Sequence, residues 1–168
     1  MSGVSVRVEL DDAALRAALA RLAERVSDLE PVFAALGQVV VTRADLSFRD
    51  QASPWGEAWR GLSAVTLGRR RQGPGAGPAA AILRDSGRLA GSIHARPSAA
   101  EVWVGTDETV YAATHQFGRP DNRMFGRARA PIPARPFLPR RGDAVVLPAE
   151  DRDAMLDILR RALAAALP

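Results

Sequence analysis

The chain contains no cysteine, no lysine and only two histidines. The absence of cysteine excludes disulfides, thiolate metal ligands and cysteine nucleophiles together. Two histidines without a paired acidic ligand do not make a zinc site. No metal or cofactor is therefore expected. No apolar run approaches the roughly 20 residues that span a bilayer, so no membrane partner is expected. The opening MSGVSVRVEL has no basic region followed by an apolar core, and no secretory signal is read from it. Neither a GxSxG elbow nor a phosphate loop is present. GPGAG at 73–77 lacks the preceding strand, the following helix start and the Lys-Ser/Thr that a phosphate loop needs.

What is present has globular proportions. Apolar residues make up 47% and charged residues 25% of 168 residues, enough for one domain over residues 1–168 with a single core. Residues 1–50 are mildly acidic and 148–168 nearly balanced, while 51–147 carry 14 arginines against 7 acids. Because every basic side chain is arginine, the basic middle suits bidentate pairing with carboxylate or phosphate, and burial at an interface.

Val4, Val6, Val8 and Leu10 alternate with polar residues, predicting a half-buried strand. Asp11 or Asp12 then caps an amphipathic helix whose stripe is Leu15, Leu19, Leu22, Val26 and Leu29. Pro31 opens a second helix to about Phe48, with Val32, Phe33, Leu36 and Val40 on its buried side. Residues 50–61 form a loop bearing Trp55 and Trp59, rings that serve equally well as contacts or as a cover for the core edge. Ser63 caps a short helix. Residues 72–80, rich in glycine and proline, predict a flexible loop. Asp85 or Ser86 caps a helix that places Leu89 and Ile93 inward. Residues 93–97 and 101–105 predict an antiparallel hairpin with Val102 and Val104 on one side and Trp103 on the other.

Tyr111 to Gly118 reads as a short helix closed by its glycine. Residues 119–131 form a flexible basic loop containing Arg119, Arg123, Arg127 and Arg129. Pro131, Pro133 and Pro136 then mark an edge strand through Arg135, anchored in the core by Phe137 and Leu138. Arg141-Gly142-Asp143 is a turn. Pro148 opens the last helix, with Glu150, Asp151 and Asp153 at its positive end and Met155, Ile158, Leu159, Leu163 and Leu167 as its buried stripe.

Three stretches in this order carry a resemblance: ILRDSGRLAGSI at 82–93, EVWVGTDETVYAATHQFG at 101–118 and PARPFL at 133–138. With FRDQASPWGEAWRGLSAVTL at 48–67, they resemble the virion morphogenesis, or tail completion, family of Mu-like and P2-like tailed phages. The residues themselves predict an α+β fold, a small and mainly antiparallel sheet packed against two N-terminal helices and one C-terminal helix. The resemblance implies a structural virion protein at the head-proximal end of the tail, acting in tail completion and head–tail joining. It implies a ring, six subunits being expected, whose partners are other copies of the chain, the tail tube and the neck or connector proteins. The virion, and the host cytoplasm during assembly, are the implied locations. Trp55, Trp59, Trp103, Arg119, Arg123, Arg127, Arg129, Arg135 and Phe137 are the candidate subunit or partner contacts. In a ring, basic loops could also line a channel and touch DNA without reading its sequence.

Two alternatives stand beside this reading. A DNA-contacting head-completion or packaging factor would use the same arginines. A hydrolase would need Ser86 activated by a histidine such as His115, but a nucleophilic serine requires a base held by a third group, and no such set is visible in the sequence. The expectation is that the protein is not an enzyme.

Overall fold

Glu30 and Pro31 begin the longest helix of the computed structural model, in which residues 29–70, 80–124, 127, 128 and 130–166 are described. The strand expected at 4–10, the first helix with its stripe from Leu15, and nearly all of the 72–80 loop lie outside them. Helix α1 spans Glu30–Asp50, with proline in its first turn, where a missing N–H costs nothing. It ends because Gln51 turns left-handed (φ 52°) and returns its N–H to Ser47. The fold is α+β, with helices at both ends of the described chain around a small antiparallel sheet.

That sheet is the hairpin of β1 (Ile93–Pro97) and β2 (Val102–Thr106), paired from Ile93 opposite Thr106 to Pro97 opposite Val102. Ser98 makes the turn by accepting the N–H groups of Ala100 and Glu101 on its hydroxyl, at 3.3 and 3.1 Å. As the alternation required, Val102 and Val104 turn inward and Trp103 outward. Helix α1 lies across the inward face and also packs on the C-terminal helix. Its closest approach to the hairpin is at Gly37, where a Cβ would come within 2.7 Å of both Ala95 Cβ and Val102 Cγ2. Gly37→Ala is therefore expected to destabilise the fold by about 1–3 kcal/mol, the usual range for overpacking. A thermal melt checks this, and an unchanged Tm would show that the helix can slide away.

Between α1 and β1 the chain is mostly irregular. Helix α2 (Ala64–Gly68) is capped as expected, the Ser63 hydroxyl accepting the Thr66 N–H at 3.2 Å. Helix α3 is only Arg88–Gly91, shorter than the motif predicted. Gly87 sits ahead of it at φ 77°, no side chain caps it, and by Ile93 the chain is already in β1. Ser86 offers one long contact, to the Arg88 N–H at 3.5 Å. Leu89 and Ile93 are nonetheless both buried.

Helix α4 (Thr109–Phe117) follows the sheet and ends at Gly118. Parts of the loop expected at 119–131 are paired. Arg119 and Ile132 exchange both backbone hydrogen bonds (2.8 and 3.0 Å), and β3 (Arg123–Met124) pairs with β4 (Arg127–Ala128) beyond them. A second small hairpin, β5 (Arg140–Arg141) and β6 (Ala144–Val145), turns through Gly142 at φ 58°. Helix α5 (Ala149–Ala166) completes the described chain. Its expected buried stripe is a correction: Met155 and Ile158 are half-buried, but Leu159 and Leu163 are 39% and 57% exposed. The helix is fastened at its first turn to α1 by Arg43 with Glu150 and Asp151, and Leu167 of the expected stripe lies outside the described residues.

The core is one cluster of Ala44, Phe48, Trp59, Ile82, Leu89, Ile93, Ala112 and Phe137. Phe48 is its centre. It meets Trp59 edge-on at 5.8 Å between ring centroids and Phe137 at 5.2 Å. Each of the motif-bearing stretches contributes at least one member.

Candidate interaction surface

The segment Pro133–Leu138 was expected to be an edge strand, and it is not one. Two prolines remove donors, and the N–H groups of Arg135, Phe137 and Leu138 are taken by α4 instead of a neighbouring strand. Arg135 N–H donates to His115 O at 2.7 Å. Phe137 and Leu138 N–H both donate to Gln116 Oε1, at 3.0 and 3.1 Å. Gln116 Nε2 in turn donates to Leu138 O and Arg140 O, at 3.0 and 3.1 Å. One side-chain amide, buried to 5% exposure, thus satisfies four backbone groups. Gly118 lets the segment lie against the helix end, since a Cβ there would stand 2.8 Å from Ala134 N.

The tryptophan loop closes the same clasp from the other side. Trp59 Nε1 donates to Pro136 O at 2.9 Å. Arg135 donates through Nε to Arg60 O at 3.0 Å and through Nη2 to Gly61 O at 3.3 Å. The WRGL, HQFG and ARPFL stretches, separated in sequence, therefore meet in one place to hold the chain together.

This geometry sorts the nine candidate contact residues. Trp59, Arg135 and Phe137 are 7%, 6% and 1% exposed, so they lie inside the fold and offer little outward surface. Trp59 and Phe137 are core rings, and Arg135 spends donors on two carbonyls. Arg119 is exposed, with Nε reaching Asp121 O at 3.3 Å. The side chains of Arg123, Arg127 and Arg129 lie outside the description.

Trp103 stays on the outside and Trp55 is half-buried, each backed by arginine. Trp55 donates Nε1–H to Val146 O at 2.9 Å, and the Arg141 guanidinium stacks over its ring at 4.1 Å. Trp103 is 46% exposed. Arg96 lies over its ring at 5.2 Å and His94 beside it at 5.5 Å. Gly105 supports it, because the indole occupies the space a Cβ would need. Asp107 joins the patch through Arg96 at 2.8 Å. Rings held flat by arginine present large area at small entropy cost, the property of interface anchors. Exposed leucines on α5 (Leu156 at 42%, Leu159 and Leu163) add an apolar ridge elsewhere.

The catalytic alternative finds no assembled set among the described residues. No carboxylate among the described residues pairs with His115, whose Nδ1 is buried without a hydrogen-bond partner. Burial, and secondarily the nearby Arg135, lowers the His115 pKa from its ordinary 6.5. The unfolded chain therefore takes up this proton more readily than the folded one. The associated stability is present above pH 6.5 and is lost as pH falls through the lower folded value. Urea melts should show wild type losing more stability than His115→Leu on acidification below pH 6.5. Parallel losses would show that His115 does not titrate differently in the two states. No group of three acidic or histidine side chains able to hold a metal occurs among the described residues, and no helix there is long and apolar enough to cross a membrane.

The arginine-backed indoles on this α+β domain are features of a surface suited to contacts. The chain belongs to the phage virion morphogenesis family, whose model matches residues 10–164. That family gives it a structural, assembly-related role in a phage virion. No curated protein and no solved structure matches the chain significantly.

Proposed function

We propose that the chain is a non-enzymatic structural component that completes the phage tail and joins it to the head, acting as a ring at the tail's head-proximal end. The family match across residues 10–164 carries this reading. The outward surfaces support it. A closed ring needs two different patches per subunit that meet across each boundary. The Trp103–Arg96 patch on the outer face of the hairpin and the Trp55–Arg141 patch beside the β5–β6 hairpin are separate surfaces on different elements. The expected partners are further copies of the chain, most simply six in the ring, and the tail tube below and connector above.

The test is a phage in which this gene is interrupted. The reading predicts DNA-filled heads and separate tails, with joining restored by purified protein. Heads left empty of DNA would overturn it in favour of a packaging factor. Trp103→Ser should leave the melt nearly unchanged, since the ring is outside the core, yet reduce joining at least tenfold. Joining at the wild-type rate would remove Trp103 from the contact set.

A further inference from the structure

A groove of about 1120 Å³ runs between α2 with the residues before it, residues 83–89, the Tyr111–His115 side of α4 and residues 130–135. Five arginines line it (Arg60, Arg69, Arg70, Arg88 and Arg135), and Asp85 is the one carboxylate among the described lining residues. Only the rim charges are conventional. Arg88, with a side chain 71% exposed, is held by Glu108 at 2.7 and 3.0 Å.

The two deeper arginines are different. The Arg70 side chain is 8% exposed. Its Nη2 donates to Ala81 O, while Nη1 forms a long ion pair with Asp85 Oδ1 at 3.6 Å and makes no hydrogen bond. Arg135 is 6% exposed and donates to two backbone carbonyls. No carboxylate among the described residues forms an ion pair with it, and burial together with Arg60 lowers its pKa. Burying guanidinium charge with incomplete pairing is expensive. His115 adds a second buried polar atom without a hydrogen-bond partner, Nδ1, to the lining of the same groove. Between these groups the walls are apolar, formed by Leu62, Leu83, Tyr111 and Ile132.

The geometry points to a binding site for an acidic peptide segment of a partner protein, its carboxylates reaching Arg70 and Arg135 while flanking apolar side chains rest on Leu62, Leu83 and Ile132. Charge complementarity selects the carboxylate, and the recessed position of the cations among apolar walls selects a peptide over nucleic acid. Phosphates of a duplex are met by cations on an accessible surface, and bases by exposed aromatic faces. The site stands on the groove alone and does not depend on ring formation.

Fluorescence anisotropy on the full chain tests it with a labelled hexapeptide, Gly-Leu-Glu-Leu-Glu-Gly, its glutamine counterpart, and a single-stranded DNA dodecamer. The glutamate peptide should bind saturably, the glutamine peptide at least tenfold more weakly, and the DNA should not displace it. Arg70→Met should weaken the glutamate peptide at least tenfold. Arg69→Glu, a rim change at an exposed residue, should weaken it severalfold with the melt unchanged. Equal affinity for the two peptides, no binding of either, or displacement by DNA would overturn the assignment.

Discussion

Gln116→Leu is expected to lower the stability of this protein by about 2–4 kcal/mol, the cost of leaving several buried backbone groups without partners. The side chain that replaces the amide is similar in size and more apolar, so a packing account predicts little harm. A hydrogen-bond account predicts a large loss. Gln116 Oε1 is the acceptor for the N–H groups of Phe137 and Leu138, and its Nε2 serves the carbonyls of Leu138 and Arg140. Phe137, 1% exposed, has no route to water for its N–H. For a chain of this length the loss corresponds to a Tm lower by about 5–15 °C. Gln116→Glu separates donor from acceptor. It keeps the oxygen facing Phe137 and Leu138 but places negative charge against two carbonyls. It should be at least as harmful at neutral pH and recover in part as pH falls into the carboxylate range. A melt of Gln116→Leu within a degree of wild type would show that the clasp is held by its apolar contacts alone.

Asp151→Ala should be comparably severe. Arg43, midway along α1, donates Nε to both oxygens of Asp151 at 3.0 and 2.8 Å and Nη2 to Oδ1 at 2.6 Å, with Glu150 as a further partner. Asp151 is 6% exposed and the Arg43 side chain 15%. The hydrogen bonding to Asp151 is the largest of the influences that raise the Arg43 pKa. Removing the carboxylate leaves a largely buried guanidinium with only the exposed Glu150. Such truncations cost about 3 kcal/mol or somewhat more. The loss should fall on α5 first, since α1 is the element it packs against. The double replacement Arg43→Met with Asp151→Leu should regain much of it, because no charge is then stranded. Chemical denaturation of both single variants and the pair gives the coupling. Additive losses would show that the pair contributes little beyond its separate parts.

The elements that the sequence disclosed are those in which local pattern and burial coincide. Alternation gave the hairpin, including the side on which Trp103 falls. The position of Pro31 and the apolar spacing gave α1, and Ser63 announced its own helix. Where pattern and burial part, the reading failed. Leu159 and Leu163 have helical spacing in α5, but spacing cannot say whether anything covers that face. Pro131, Pro133 and Pro136 correctly excluded a central strand. They did not reveal that a glutamine would stand in for the neighbouring strand. Gln116 was visible only as part of the HQFG motif, and its role depends on a segment that returns to it some 20 residues later in the chain. The same limit applies to Arg135. Its charge placed it among outward contacts, whereas the backbone carbonyls of Arg60 and Gly61 draw it inward. The pairing of Arg43 with Asp151 joins residues more than 100 positions apart, and no local signal links them.

The most direct test of the proposed role is the mass of the purified chain in solution, across concentrations and salt levels, with and without tail tubes. The ring reading predicts a species of fixed, closed size that grows in with concentration or appears on tubes. It should persist at salt levels that would release a phosphate-bound protein, and Trp103→Ser should hold the chain at the monomer mass. A monomer at every concentration that ignores tubes and shifts only on DNA at low salt would contradict it.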